Sequence, residues 1–217
     1  MKTSKLICCL LAAIILHGCK QGNYTGAVVT GHPEATKIGI QVLQDGGNAI
    51  DASIAVQLAL AVCLPNAGNI GGGGFMVYRT HDGHAYTLDF REKAPKGAFQ
   101  NMYLDENGEI IDSLSTYGSL AVGVPGTIDG IFEAHKQFGL IGMDTLFNYA
   151  IELAKKGFPI TEQQATALNY YQNDFIKFNP KNTYLQAEKW TQGDTLKQID
   201  LAKTLSIIRD NGRNGFY

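Results

Sequence analysis

The spacing of apolar residues changes period along the chain, and each change predicts a different element. Ala27 to Thr30 (AVVT) predicts a short strand. Ala35, Ile38, Val42 and Leu43 then recur near helical spacing, with Pro33 suited to a first helical position and Gly46-Gly47 able to supply a left-handed stop. A second helix is predicted from about Asp51 to Val62; it is alanine-rich and apolar nearly all round, a pattern that implies burial between layers. The period then shortens. FMVYRT (Phe75 to Thr80) and HAYTLDF (His84 to Phe90) read as two strands joined at His81-Asp82-Gly83, a hairpin turn.

Beyond Gly126 the helical period returns in TIDGIFEAHKQF, closed by Gly139, and in DTLFNYAIELAKK, closed by Gly157. Thr161 and Gln164 have the spacing of a capping box for TEQQATALNYY, and DLAKTLSIIRD before Gly212 reads as a last amphipathic helix. Helices, a hairpin and more helices fit α+β layering better than alternating parallel units. So few strands would form a narrow sheet with open edges, so the pattern predicts an incomplete domain.

The first residues are of another kind. Lys2 and Lys5 precede an apolar run, Leu6 to Leu16, too short to span a bilayer with comfort, and this reads as an export signal. Leu16-His17-Gly18-Cys19 resembles the lipobox of bacterial lipoproteins, whose cysteine becomes the lipid-bearing first residue after cleavage. His17 stands where that motif prefers a small residue, and the alternative is an ordinary signal peptide cut nearby. The organisation expected is therefore an export signal over 1–19, a polar spacer over 20–24 and a partial domain over 25–217. Cys8 and Cys9 would leave with the signal and Cys19 would carry lipid, so only Cys63 remains and no disulfide framework is possible within the mature chain. Its apolar setting, LALAVCLP, marks Cys63 as a small buried hydrophobe rather than a reactive thiol.

With 18 Lys+Arg against 20 Asp+Glu, the chain lacks the basic field that a nucleic-acid partner requires. The histidines are scattered and form no metal-ligand pattern, and no motif calls for a cofactor.

Three segments carry candidate chemistry. The run from Pro65 to Gly74 (PNAGNIGGGG) leads into the strand at Phe75. A phosphate loop would open a helix and often bring a lysine, so nucleotide binding is rejected; a tight connection passing under other backbone is favoured over direct ligand contact. Asp89 to Pro95 (DFREKAP) places Arg91 between acids at the end of the second strand. A guanidinium there either pairs with a neighbouring acid or grips a carboxylate through two parallel hydrogen bonds. Tyr117 to Gly126 (YGSLAVGVPG) reads as a glycine-spaced strand and turn opening a helix, and Ser119 lacks the G-x-S-x-G elbow of a nucleophile.

HPEATKIGIQVLQDGGNAIDASIA (His32 to Ala55), NIGGGGFMVY (Asn69 to Tyr78), LDFREKAP (Leu88 to Pro95) and YGSLAVGVPGTIDGIFEAHKQFG (Tyr117 to Gly139) together resemble the γ-glutamyltransferase family, in its order and approximate spacing. GFPIT (Gly157 to Thr161) and DLAKTLSII with NGFY (Asp200 to Tyr217) are similar to later segments of its large subunit. Where the family more often has a serine before its glycine run, this chain reads PNAGNIGGGG.

The resemblance implies an N-terminal-nucleophile hydrolase with an αββα sandwich, incomplete in this chain, made as a precursor that cleaves itself into large and small subunits. It implies a threonine at the start of the small subunit that attacks the γ-glutamyl amide, its own α-amine serving as base. Glutathione and related γ-glutamyl compounds are the implied substrates, and Arg91 the residue that grips the α-carboxylate of the glutamyl group. The family's Thr-Thr-His and Ser-Ser sequences do not occur between Met1 and Tyr217. They are expected downstream, so the polypeptide by itself is expected neither to mature nor to turn over substrate. Two other readings remain: a non-catalytic lipoprotein that captures γ-glutamyl compounds, and a related amide acylase.

Overall fold

The structure is a computed structural model that describes residues 26–217; the expected export signal, Cys19 and the 20–24 spacer lie outside the described residues. Helix α1 (Pro33–Gln44) starts where Pro33 predicts. His32 caps it, its Nδ1 accepting the Glu34 N–H at 3.2 Å. Proline at the first position has no N–H to orphan, so the cap need serve only the next residue. The chain leaves α1 through Gly46, whose φ of +92° belongs to the left-handed region.

Helix α2 (Ala49–Cys63) forms the centre of the core. Ile54, Ala55, Leu58, Ala59, Val62 and Cys63 are buried, which accounts for a sequence with almost no polar face. It lies between α1 and α4 (Met143–Lys156) and also touches α3 (Thr127–Phe138). The inward stripe of α4 is Leu146, Phe147, Ala150, Ile151 and Ala154; burying the three larger side chains contributes about 1.5–3 kcal/mol each. Helix α7 (Ile199–Asn211) packs on α4 through Ala202, Leu205 and Ile208.

Over this helical layer lies an antiparallel hairpin, β1 (Phe75–Arg79) with β2 (Ala85–Asp89), in which Phe75 faces Asp89 and Tyr78 faces Tyr86. Met76, Tyr78 and Leu88 pack against the core. On the opposite face Phe75 and Val77 are 65% and 80% exposed. The described residues thus supply a helical layer and a sheet layer of mixed α+β architecture, part of the expected sandwich. A second small pairing joins β3 (Phe158–Pro159) to β4 (Thr195–Leu196). Helix α5 (Glu162–Tyr170) opens with the predicted capping box, Gln164 N–H donating to Thr161 Oγ1 at 3.2 Å and Thr161 N–H to Gln164 Oε1 at 2.9 Å.

Three details differ from the sequence expectation. Ala27 to Thr30 forms no strand: no neighbouring strand pairs with it among the described residues, and Val29 is 95% exposed while Val28 lies against Gly39. Tyr117 to Gly126 is not a strand either. It is a short 3-10 turn, Ser119–Ala121, followed by a single bridge from Val124 to Lys93. Helix α6 (Gln172–Phe178) is not predicted because none of its residues is fully buried and, of its apolar side chains, only Phe175 packs on the core, so it shows no apolar period.

Three helices of the core are joined at one buried carboxyl group. Asp51, fully buried, accepts from the N–H of Asn48 at 2.9 Å, from Leu140 at 3.0 and 3.2 Å, and from Ile141 at 3.3 Å. Asn48 caps α2 through its Oδ1 and donates its Nδ2 to the Phe138 carbonyl at 2.6 Å. The capping box of α2, which the sequence reading did not name, thus also holds the turn between α3 and α4. Asp51→Ala leaves several of these donors without an acceptor and is expected to destabilise the chain by about 3 kcal/mol, read from denaturant unfolding. A loss below about 1 kcal/mol would contradict the assigned role.

Candidate functional site

Arg91 stands just past the end of β2, and the glycine run fixes where that end lies. Phe90 continues the hairpin by one pair, its N–H donating to the Gly74 carbonyl at 3.0 Å and Gly74 N–H returning to the Phe90 carbonyl at 3.3 Å. The carbonyl of Gly72 accepts from both Gly126 N–H at 2.7 Å and Thr127 N–H at 3.0 Å, so the run is tied to the first turn of α3. A Cβ on Gly73 would fall 2.8 Å from Arg91 Cα and 2.8 Å from Glu92 N. This is the tight connection that the sequence favoured, with the glycines passing against the backbone that carries Arg91. On the far side Lys93 and Val124 exchange backbone bonds at 3.0 and 2.8 Å.

Within this frame the guanidinium points outward, its side chain 65% exposed. Its backbone N–H donates to Asp89 Oδ1 at 3.0 Å, its Nε reaches Glu92 Oε2 at 3.4 Å, and its Cζ lies 5.7 Å from the Phe75 ring centre. Among the described residues no acceptor meets its two terminal amino groups. The two sequence readings of Arg91 therefore coexist: it has an acidic neighbour, yet the fork that would grip a carboxylate stays open. Glu92 is held below the ordinary carboxylate range, first by its own backbone N–H and then by Arg91, so it carries charge at neutral pH. An exposed pair of this kind is weak and opposes a competing ligand little.

The C-terminal residues reach the same region, which the sequence did not foretell. Tyr217 donates its hydroxyl to the Pro125 carbonyl at 2.7 Å, and Arg213 pairs with Asp129 in the first turn of α3 while its Cζ lies 4.5 Å from the Tyr217 ring. Arg213, and more weakly Lys93, hold the Asp129 carboxyl below its usual value.

Two cavities among the described residues lie elsewhere. One of about 510 Å³ is bounded by Gly31, His32, Leu64, Gln164, Tyr171 and Tyr184; the other, about 620 Å³, lies between Gly26–Thr30 and α2. Arg91 lines neither. Among the described residues no group of three or more His, Cys, Asp and Glu is placed to hold a metal. Ser119 sits in the exposed 3-10 turn with no histidine beside it in sequence.

Taken as a fold, this is the arrangement of γ-glutamyltranspeptidases. The chain superposes on the crystal structure of Helicobacter pylori γ-glutamyltranspeptidase with a TM-score of 0.84 at 44% identity, covering 88% of this chain and 56% of that one. It is 46% identical over 199 residues to the glutathione hydrolase proenzyme of Pseudomonas sp. (strain A14), covering 90% of this chain and 35% of that protein. It is also 46% identical over 195 residues to the corresponding proenzyme of Bacillus subtilis (strain 168), covering 88% and 33%. The Gamma-glutamyltranspeptidase family model matches residues 35–217, and the chain belongs to that family. It spans about a third of the length of the curated relatives it matches.

The remaining thiol takes no part in this site. Cys63 is fully buried, and burial pushes its pKa up to about 12. The thiolate is the reactive form, so at pH 8 the native chain keeps Cys63 protonated. Iodoacetamide treatment at pH 8 followed by peptide mapping is expected to leave Cys63 unmodified until guanidinium chloride unfolds the protein. Labelling in the native state would contradict this.

Proposed function

We propose that this chain is the arginine-bearing front part of the large subunit of a γ-glutamyltransferase, and that Arg91 binds the α-carboxylate of a γ-glutamyl donor such as glutathione. The observation that carries the reading is the outward guanidinium, held at its backbone and at Nε but with both terminal nitrogens open, in a chain of this family. A planar fork of donors matches a carboxylate through two hydrogen bonds.

The contact is remote from the bond that breaks. Anchoring the amino-acid end of the donor presents its γ-carbonyl to the nucleophile in one orientation, which lowers the entropy to be lost at the transition state. That nucleophile is the threonine of the small subunit, outside this chain. Its hydroxyl adds to the γ-carbonyl as its own α-amine takes the proton; the departing amine receives a proton and leaves an ester, which water or an acceptor amine then cleaves. No cofactor enters these steps. Export to the periplasmic side, with Cys19 as a lipid-bearing residue, belongs to the same proposal and rests on the lipobox-like Leu16 to Cys19.

The test uses enzyme matured from a full-length precursor containing this chain. Arg91→Ala is expected to raise KM for a γ-glutamyl anilide by roughly ten- to a hundredfold, the scale of lost charge-assisted hydrogen bonds, and to change kcat less. Arg91→Lys, which keeps charge without the fork, should fall between. An unchanged KM in Arg91→Ala overturns the assignment. For the anchor, incorporation of labelled palmitate in a bacterial host should vanish in Cys19→Ala; label retained by that variant excludes lipidation at this residue.

A further inference from the structure

The segment carrying Arg91 is enclosed by glycines more closely than chain reversal requires. Inside α3, a Cβ on Gly130 would lie 2.6 Å from Cδ2 and 2.7 Å from Cβ of Phe90. On the other side, a Cβ on Gly74 would lie 2.8 Å from Cε2 and 2.9 Å from Cζ of the same ring. The backbone from Phe90 to Glu92 is treated alike: Gly73 lies against Arg91 Cα and Glu92 N, and a Cβ on Gly126 would fall 2.8 Å from the Phe90 carbonyl carbon and 2.9 Å from the Arg91 carbonyl oxygen.

None of these glycines has positive φ, so conformation does not call for glycine at any of them; the Phe90 segment takes up the space. For Gly130 the consequence has a size, because glycine within a helix costs about 0.5–1 kcal/mol relative to alanine. A helix that bears this cost where its backbone is regular is making room for something, and what fills the room is the ring of Phe90.

We propose that Phe90 is a positioning residue: a peg seated in a glycine socket, which fixes the direction in which Arg91 leaves the sheet edge. The inference rests on the assignment of Arg91 to the γ-glutamyl carboxylate. Consecutive side chains of an extended segment project to opposite sides, so a ring held inward against α3 sends the next side chain outward. The residues around it are fixed as well, Arg91 N–H by Asp89 at 3.0 Å and Lys93 by Val124. With its root immobile, the guanidinium approaches the ligand from one direction only.

Gly130→Ala places a methyl group where the ring now sits and so shifts the root of Arg91. In enzyme matured from the full-length precursor, KM for a γ-glutamyl anilide is expected to rise roughly tenfold, within the hundredfold that a 1 Å misplacement can cause, while kcat at saturation stays within about twofold. Phe90→Leu, which leaves slack rather than a clash, should raise KM in the same way and carries the test where Gly130→Ala does not fold. In an Arg91→Ala background neither change should raise KM further, because the effect passes through the guanidinium.

A KM rise that persists undiminished in that background marks general disruption and overturns the proposal. So do unchanged KM values in folded Gly130→Ala and Phe90→Leu beside a raised KM in Arg91→Ala, an outcome that leaves the Arg91 assignment standing. An unchanged KM in Arg91→Ala itself removes that assignment, and the positioning role with it.

Discussion

The arrangement depends on one buried carboxylate. Asp51 collects the backbone donors of Asn48, Leu140 and Ile141 at a point where no water reaches, so the start of α2 and the turn after α3 cannot separate without leaving donors unpaired. This fixes the far end of α3 against α2. The near end of α3 then holds the Gly72 carbonyl through Gly126 and Thr127, and the glycines beyond Gly72 hold the backbone of residues 90–92. A carboxyl group buried in the core is thus connected, by a succession of hydrogen bonds and close packing, to an exposed guanidinium at the sheet edge.

That connection explains why the surroundings of Arg91 are mostly backbone. A side-chain frame around a long flexible arm would need several ordered rotamers, each with its own entropy cost. Glycines allow main chain to approach main chain, where the positions are set by secondary structure. The neighbouring side chains restrain the guanidinium without saturating it: Glu92 reaches only Nε in hydrogen-bond geometry, and the Phe75 ring lies 5.7 Å away. A full bidentate pair with Glu92 would have tied up the same donors that a carboxylate ligand uses.

Much of this was legible in the sequence, and the exceptions share a cause. The long helices were readable because each buries one stripe or, for α2, most of its circumference, and burial is what writes a period into the sequence. The α5 capping box was readable because its residues are close in sequence. Ala27 to Thr30 misled because a short β-branched run marks a preference for extended backbone, while a strand also needs a partner. Tyr117 to Gly126 misled in the same way, and α6 wrote no period because, of its apolar side chains, only Phe175 packs on the core. At the site, Arg91 stood out by its residue type and setting, whereas Phe90 beneath Gly130 and Tyr217 at Pro125 are contacts between residues far apart in the chain, with no local signature.

The position of Arg91 relative to the apolar surface adds a last step. Phe75 and Val77 stand on the outer face of the hairpin beside Arg79, Thr87 and Asp89, opposite the face that packs on the helices, and two large apolar side chains so exposed on an outer face are unusual for an antiparallel sheet with one face on a core. The guanidinium lies at the border of that face, beside Phe75. On the proposed reading, a donor held by its α-carboxylate at Arg91 lies at the margin of the uncovered sheet, where groups from outside this chain can meet its γ-carbonyl. A binding arginine restrained by Asp89 and Glu92 is then the expected contribution of this segment: it orients one end of the substrate and leaves the other end accessible.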